Sequence, residues 1–337
     1  MISTGFRKTK AAELRDMRVL VTGAGGFIGS HLAEALAVRG MEVRLLDNFQ
    51  SGTYQNLTWI KPGQSVQILE GDLRNDEQVS KAIEGCQWVF HLAAMPSVPR
   101  SIQFPIESHA VNLDGSLKLL QAASRAGVER FIFASSSAIY GESDVPVKQE
   151  GLPPAPLSPY ALQKYSAERY GQLYSQFYGL ATVSLRYFNV FGPRQSFTSP
   201  YSGVIARFCH AAITGEVPTI YGDGLQSRDF TYIDNVISAN LQAATAPREL
   251  VSGKVFNVAG GESVTLLAIL DRLSQLSGRP MVPRFEPERP GDIHYSHADI
   301  GLARSILNYV PTVRWDKGLE KTLEWYRTSG ATFLPVS

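Results

Sequence analysis

The residues most able to do chemistry are a tyrosine and a lysine four positions apart, Tyr160 and Lys164, which follow three consecutive serines at 135–137. Ser158 and Pro159 are typical of a helix start, so the phenol and the ammonium are expected on one helical face. An ammonium beside a phenol lowers the pKa of tyrosine from its usual value of about 10. The spacing therefore predicts a general base for a substrate hydroxyl, with a serine hydroxyl placed to shuttle the proton.

A glycine-rich turn lies near the start of the chain. Residues 19–21 are an apolar run typical of a buried parallel strand, and residues 28–38 carry apolar side chains at helical spacing. Between them, Gly23, Gly26 and Gly29 allow a tight turn, a close approach of the backbone to a pyrophosphate, and close helix packing. The pattern predicts a bound dinucleotide whose phosphates rest on the N-terminus of the helix.

An aspartate follows the second predicted strand. That strand covers residues 42–46, and Asp47 stands at its end, about twenty residues past the glycines. A carboxylate there can accept hydrogen bonds from both ribose hydroxyls of an adenosine, and it repels a 2′-phosphate. Asn48 and Phe49 come next, so no arginine is in place to bind such a phosphate. The sequence therefore predicts NAD rather than NADP. NAD would accept a hydride from the substrate while the tyrosine acts as base.

Asp72 has two interpretations. It follows the third predicted strand, where a carboxylate can accept a hydrogen bond from the adenine amino group. It can equally cap the helix predicted from Asn75. The sequence leaves both open.

Strand-like and helix-like segments alternate from residue 18 to about residue 191. The later strands are predicted at 66–69, 88–92, 130–135 and 182–187, and the later helices at 75–83, 106–126 and 159–178. Crossover helices of this length imply a parallel sheet covered on both faces. The predicted fold class is therefore α/β, with a Rossmann-type doubly wound sheet.

Beyond Gly192, prolines interrupt shorter elements. Helices are predicted at 203–214, 235–244, 266–276, 300–307 and 317–328, and strands at 219–221, 230–233 and 254–258. This half predicts a smaller α/β lobe for the substrate. The predicted division is a flexible tail at 1–17, an NAD-binding domain at 18–192 and a mainly substrate-binding lobe at 193–337, from which some segments return to the first domain.

Composition excludes several classes of protein. A net charge of +1 over 337 residues gives no reason to expect nucleic acid or a membrane surface as partner. No apolar run approaches the roughly 18 residues of a spanning helix, and residues 1–17 lack the apolar core of a secretory signal. Cys86 and Cys209 are the two cysteines, so a disulfide framework or metal cluster is not expected and a reducing cytoplasm fits.

Together these motifs resemble the extended short-chain dehydrogenase/reductases, specifically their nucleotide-sugar 4-epimerases and dehydratases. The resemblance runs from Arg18 to about Arg327 and rests on TGAGGFIGSHL, LLDNF, GDLRN, HLAA, VNLDGS, SSSAIYG, YALQK, RYFNVFGPR, YGDGLQSRDFTYIDN and RPGD. It implies a catalytic trio of Ser136, Tyr160 and Lys164, with Ser136 chosen because it lies four residues before Tyr140. The cofactor residues that it implies, besides Tyr160 and Lys164, are Gly23, Gly26, Phe27, Ile28, Asp47, Asn48, Asp72, Leu73, Leu92, Ala93, Asn112 and Tyr187.

The resemblance also narrows the reaction. Members that dehydrate carry an Asp-Glu pair after the catalytic hydroxyl, and members that decarboxylate carry a Glu in the second of these places. Here the two places hold Ser137 and Ala138, so no acid is available for elimination. The remaining reaction is oxidation at C4, rotation of the 4-keto sugar and return of the hydride to its other face, which is 4-epimerisation.

Substrate residues follow from the same resemblance. Arg228 and Arg289 are expected to clamp the diphosphate, for which guanidinium groups have suitable geometry. Asp292 is expected to bind a ribose hydroxyl, and Tyr221 to lie near the uracil. The other implied substrate residues are Ser97, Val98, Ser136, Ser137, Asn189, Val204 and Ser296.

Ser296 bears on specificity. In epimerases restricted to glucose and galactose, a tyrosine at the corresponding place fills the space beside the sugar C2. A serine there leaves room for a 2-acetamido group, so the resemblance implies interconversion of UDP-N-acetylglucosamine and UDP-N-acetylgalactosamine. Tyr295 is adjacent, and a one-residue shift in register would put a ring back at this place.

Other interpretations keep the same fold. The nearest alternative function is a UDP-glucose/UDP-galactose or UDP-uronate 4-epimerase. A net NAD-linked sugar-nucleotide reductase is a more distant alternative. A dinucleotide-sensing regulator is disfavoured by the Tyr160/Lys164 pair.

His294 and His297 lie three apart without a supporting ligand cluster, so no metal is expected. The resemblance implies that the helices at 106–126 and 159–178 pair across a homodimer.

Overall fold

The computed structural model describes residues 17–143, 145–197, 203–288 and 295–329. The chain divides into two units, and each is described by itself. The first comprises the described residues within 1–135, 158–185 and 240–255, and the second those within 136–157, 186–239 and 256–337. The functional division at residue 192 stays a prediction.

A seven-stranded sheet lies mainly in the first unit. With elements numbered along the chain, its strands are β1 (Arg18–Thr22), β2 (Glu42–Asp47), β3 (Val66–Glu70), β4 (Trp88–His91), β5 (Arg130–Ser136), β7 (Thr182–Tyr187) and β12 (Lys254–Val258). The order is β3-β2-β1-β4-β5-β7-β12. The pairs from β3 to β5 are parallel, and β1 lies between β2 and β4. The strand order reverses there, which is where doubly wound sheets bind ligands. The predicted α/β fold class is confirmed.

Helices cover this sheet. They are α1 (Phe27–Val38), α2 (Asp76–Ile83), α3 (Val98–Gln103), α4 (Pro105–His109), α5 (Gly115–Arg125), α6 (Pro159–Tyr178) and α9 (Arg248–Val251). Leu20, Val89 and Phe131 of the sheet form one buried cluster with Leu119 of α5 and Tyr174 of α6. Across 17–143, 145–197, 203–288 and 295–329, every helix is too short or too polar to span a bilayer.

The helix predicted at 106–126 is present as a continuous helical stretch with one internal irregularity. The structure has α4, then a π-helical turn at Ala110–Asp114, then α5. In addition, α3 was not predicted. Ser97 caps α3 by accepting a hydrogen bond from the Arg100 amide, 3.2 Å between heavy atoms, and Pro99 lies in its first turn. Six residues are too few to show a helical period, so this helix could not be predicted from the sequence.

The second unit contains three small sheets and several helices. A four-stranded sheet has the strand order β13 (Ser263–Thr265), β10 (Ser227–Asp229), β15 (Tyr295–Ala298) and β6 (Val147–Lys148). Two-stranded sheets join β8 (Val190–Phe191) to β11 (Thr231–Tyr232), and β9 (Thr219–Tyr221) to β14 (Arg284–Glu286). The helices are α7 (Val204–Thr214), α8 (Ile233–Thr245, which ends in the first unit), α10 (Leu266–Ser277), α11 (Gly301–Leu307) and α12 (Trp315–Ser329). The strand predicted at 230–233 is the shorter β11, and the sequence did not predict β6, β8, β10, β13, β14 or β15.

Candidate active site

The glycines between β1 and the first turn of α1 have no room for a side chain. Gly23 has φ +69°, and a Cβ there would lie 2.7 Å from the Ala93 nitrogen. A Cβ at Gly29 would lie 2.1 Å from the Gly23 carbonyl oxygen. Gly26 is the N-cap of α1 and offers no side-chain cap, and the first turn, with Phe27 and Ile28, carries no acid. A glycine cradle at a helix N-terminus without acidic groups suits a pyrophosphate.

Asp47 is fixed at the end of β2. Its Oδ2 accepts a hydrogen bond from the Gly25 amide at 2.8 Å, and its Oδ1 accepts one from the Phe49 amide at 2.8 Å. The residue is 9% exposed, and burial raises the pKa of its carboxyl against these two amide bonds. Each carboxylate oxygen retains acceptor capacity for a further donor. The geometry therefore suits the adenosine ribose.

Replacing Asp47 by alanine should weaken NAD binding by roughly 10- to 100-fold, since hydrogen bonds to a charged group are worth about 1.5–3 kcal/mol. Titration calorimetry with NAD measures this. Glu42→Ala is the matched control, because Glu42 lies at the other end of β2 and pairs with Arg18 at 2.6 Å. Unchanged NAD affinity in Asp47→Ala would move the ribose contact elsewhere.

Asp72 is held by its neighbours after β3. Arg74 donates from Nε to Asp72 Oδ1 at 2.9 Å and from Nη2 to Oδ2 at 2.8 Å, and Asn48 Nδ2 donates to Oδ2 at 2.8 Å. The hydrogen bonds from Arg74 hold the pKa of this carboxyl well below its usual range. The cap of α2 is Asn75, whose side chain accepts from the amides of Glu77 and Gln78. The capping interpretation of Asp72 is therefore wrong, and its role toward adenine stays a prediction.

The end of β4 is fixed by a buried polar chain. His91 bonds through Nδ1 to Thr22 Oγ1 at 2.8 Å and through Nε2 to Ser116 Oγ at 2.8 Å. Burial lowers the pKa of His91 to about 3, so the ring is neutral and acts in packing. The Ala93 amide donates to Thr22 Oγ1 at 3.2 Å, and the Leu92 amide donates to the Thr22 carbonyl at 3.2 Å.

A second buried polar cluster ties the π-helical turn to α6. Asn112, in the π-helical turn, accepts from the Met95 amide at 2.7 Å and donates to Gln163 Oε1 at 2.9 Å. Ser108 donates to the same Gln163 oxygen at 2.6 Å. Sequence reasoning missed Gln163 and Ser108. A glutamine directly before Lys164 in the predicted helix was the available signal.

Tyr160 and Lys164 lie one turn apart on α6. The Tyr160 amide donates to Ser101 Oγ at 3.1 Å, which fixes the start of the helix. Lys164 is 3% exposed, donates from Nζ to the Ala134 carbonyl at 2.9 Å, and lies 4.9 Å above the Phe133 ring. Burial lowers the pKa of Lys164 to about 7. Its Nζ is thus buried and anchored to a carbonyl near the end of β5.

Ser135 and Ser136 are the last two residues of β5. Ser135 donates to Glu168 Oε2 at 2.7 Å, and both residues are buried. Ser136 is the last residue of β5, and its hydroxyl accepts from the Ala138 amide at 3.2 Å at the start of a 3₁₀ turn from Ser137 to Tyr140. Tyr140 donates to Asn257 Oδ1 at 2.6 Å, which holds that turn within the second unit.

Several predicted substrate residues belong to the four-stranded sheet and its surroundings. Arg228 of β10 and Ser296 of β15 are register partners in parallel strands, so both project from one face. Ser296 is 8% exposed, whereas Tyr295 is 66% exposed on the other face. Asn189 has φ +31° and donates from Nδ2 to the Asp229 carbonyl at 3.3 Å.

The predicted residues separate between the units. The first unit carries the predicted cofactor residues, including buried Leu73, with the exception of Tyr187. The second unit carries Tyr187 and the described substrate residues, including Val204 and Tyr221, with the exceptions of Ser97 and Val98. Arg289, Asp292 and His294 lie outside the described residues, as does the predicted tail up to residue 16.

Comparison with known families decides the assignment. The model of the NAD dependent epimerase/dehydratase family matches residues 19–259. The chain belongs to this family. The resemblance inferred from the motifs is confirmed.

Individual relatives agree. The UDP-glucose 4-epimerase of Mycolicibacterium smegmatis is 34% identical over 315 residues, which cover 92% of this chain and 99% of that protein. A solved UDP-N-acetylglucosamine 4-epimerase from Methanobrevibacter ruminantium, in complex with UDP-N-acetylmuramic acid, is 39% identical with a TM-score of 0.88, covering 94% and 99% of the two chains. The Bacillus cereus UDP-glucuronic acid 4-epimerase, with UDP-glucuronic acid and NAD, is 34% identical with a TM-score of 0.86, covering 93% and 99%.

The class of enzyme follows from the family and these relatives. The chain is an NAD-dependent nucleotide-sugar 4-epimerase, and its cofactor is NAD, as predicted. The glycine turn and Asp47 fit that cofactor, because such a turn suits a pyrophosphate and a carboxylate after the second strand suits a ribose.

Proposed function

We propose that the chain interconverts UDP-N-acetylglucosamine and UDP-N-acetylgalactosamine through a transient 4-keto sugar. The observation that carries the proposal is the pattern of burial in β15, where Ser296 is buried and Tyr295 is exposed. The inward position therefore holds a hydroxymethyl group rather than a phenol ring, and the difference in volume favours a substrate with a 2-acetamido group. The likeness to a UDP-N-acetylglucosamine 4-epimerase at 39% identity supports the same substrate class.

The proposed roles of the site residues follow from their chemistry. Bound NAD supplies reversible acceptance of a hydride from C4 of the sugar. The Tyr160 phenolate removes the C4 hydroxyl proton and later returns it, and Ser136 relays that proton. The buried ammonium of Lys164 favours the phenolate electrostatically. Arg228, with Arg289, binds the diphosphate.

The test of this function is incubation of the purified protein, without added cofactor, with UDP-N-acetylgalactosamine and separately with UDP-galactose. Anion-exchange chromatography follows the products. Rapid conversion of the acetylated sugar is the expected result. Conversion of UDP-galactose alone would keep the reaction and overturn the substrate. If both sugars remain unchanged after NAD is added, UDP-uronates are the next substrates to assay. Stoichiometric oxidation of added NADH would indicate a net reductase.

Ser296→Tyr should suppress turnover of the N-acetylated sugars at least about tenfold more than turnover of the plain hexoses, because the ring would fill the space beside C2. Steady-state kinetics with both substrate pairs measures the ratio. Tyr295→Ser is the matched control and should leave the ratio unchanged, since Tyr295 is exposed. Equal loss on both pairs in Ser296→Tyr would contradict the specificity argument.

We also propose a homodimer. On α6, Leu162, Leu173 and Phe177 are 53%, 37% and 67% exposed, and Ile106 of α4 is 83% exposed. A second copy of the chain would cover this apolar surface. Analytical ultracentrifugation tests the dimer.

The cytoplasmic location of the protein stays a prediction.

A further inference from the structure

Asp229 lies at the end of β10, and its side chain is completely buried. Its Oδ1 accepts hydrogen bonds from the amides of Gly260 at 2.7 Å and Gly261 at 3.2 Å. Its Oδ2 accepts from the Ala298 amide at 3.4 Å and lies 3.5 Å from His297 Nδ1. One carboxylate therefore ties β10 to the loop after β12 and to β15.

The strands that this carboxylate joins carry residues assigned to the substrate. Arg228 precedes Asp229 in β10, so the two side chains project to opposite faces of the strand. Ser296, the register partner of Arg228, lies two residues before Ala298 in β15. On the back of β10, Asp229 thus bonds to β15, the strand that presents Ser296 beside Arg228 on the front.

Asn189 is held at the same place. Its side-chain amide donates to the Asp229 carbonyl at 3.3 Å, and its own carbonyl accepts from the Thr231 amide at 3.2 Å. Its φ of +31° is uncommon for a residue with a side chain and persists only where the surroundings fix it. The position of β10, which Asp229 secures, therefore also sets the position of Asn189.

We propose that Asp229 is a positioning residue that holds Asn189, Arg228 and Ser296 in the arrangement that binds the UDP-sugar, without touching the ligand itself. The inference rests on the proposed function, because the roles of these three residues come from it. Complete burial leaves the Asp229 side chain no surface for a ligand, so its effect must pass through the residues that it anchors.

A double-mutant cycle on UDP binding tests this role. Asp229→Asn keeps the shape of the side chain, and its carbonyl can replace Oδ1, but it turns an N–H group toward the Ala298 amide. The dissociation constant of UDP should rise about tenfold, as expected for one lost hydrogen bond. In the Arg228→Ala background, the same change should have less than about a twofold effect, because coupled residues are not additive.

Two further readouts separate positioning from general destabilisation. In Asp229→Asn, the KM for the UDP-sugar should rise with the dissociation constant, while the dissociation constant of NAD stays within about twofold. Asp229→Glu keeps both acceptor oxygens but displaces them by one methylene, and it should show the same coupling to Arg228. It provides the cycle if Asp229→Asn does not fold.

Asn235→Ala is the matched control. Asn235 is buried in the same unit and also makes three backbone hydrogen bonds, to the Thr312 amide and to the amide and carbonyl of Val313, at 2.9, 3.1 and 2.7 Å. Its loss should lower the melting temperature and leave UDP affinity unchanged. Additive effects of Asp229 and Arg228, or unchanged UDP affinity in both Asp229 variants, would overturn the inference alone. Absence of UDP binding by the wild-type protein would overturn the proposed function as well.

Discussion

Tyr160→Phe should lower the turnover number by about 10³-fold or more, within the range that a positioned acid–base group contributes. The substitution removes one hydroxyl from α6 and leaves the Tyr160 amide bond to Ser101 in place. The Lys164 ammonium keeps its 2.9 Å bond to the Ala134 carbonyl. The variant should therefore fold and bind NAD like the wild-type protein while losing the group that accepts the C4 hydroxyl proton.

The measurement is the steady-state rate on the sugar that the wild-type enzyme converts fastest, together with NAD titration and thermal unfolding. Tyr170→Phe is the matched control, because Tyr170 lies on the same helix and is 37% exposed. It should keep the turnover number within about twofold, as is usual for surface substitutions. If Tyr160→Phe retained a tenth of wild-type activity, another residue would have to be the base.

The parts of the site that the sequence predicts depend on local signals. The glycines at 23, 26 and 29 form a pattern that spans only seven residues, and Asp47 follows directly after the predicted strand at 42–46. The start of α6 is equally local, because Ser158 caps the helix and Pro159 occupies its first turn. Neighbours along the chain fix these features, so the sequence alone identifies them.

The parts that it did not predict depend on long-range contacts. Asp229 is bonded to Gly260 and Ala298, which lie 31 and 69 residues further along the chain. The pairing of Arg228 with Ser296 likewise joins distant strands of three and four residues. Strands this short show too few alternations to be recognised, and pairing between them is set by the packed unit. The burial of Ser296 and the exposure of Tyr295 could therefore be read only from the structure.

Gly29→Ala should reduce NAD affinity by at least about 100-fold and destabilise the fold by ~1–3 kcal/mol, as overpacking does. The added Cβ would lie 2.1 Å from the Gly23 oxygen, 2.8 Å from the Gly23 carbonyl carbon and 3.0 Å from Ala24 Cα. All three are backbone atoms. Gly23 is itself fixed, since its amide donates to the Leu46 carbonyl at 2.9 Å and its carbonyl accepts from the Gly26 amide at 3.1 Å. The clash can therefore be relieved only by opening the turn.

The expected loss of stability in Gly29→Ala differs in sign from the effect of helix propensity. Alanine favours a helix over glycine by about 1 kcal/mol, so a stabilised Gly29→Ala protein would mean that the turn relaxes without strain. Urea unfolding and NAD titration measure both quantities. Gly151→Ala is the matched control, because an added Cβ at Gly151 would have no atom within 4 Å. It should change neither stability nor NAD affinity appreciably. Wild-type NAD affinity in Gly29→Ala would contradict the role of the β1–α1 turn as the pyrophosphate cradle.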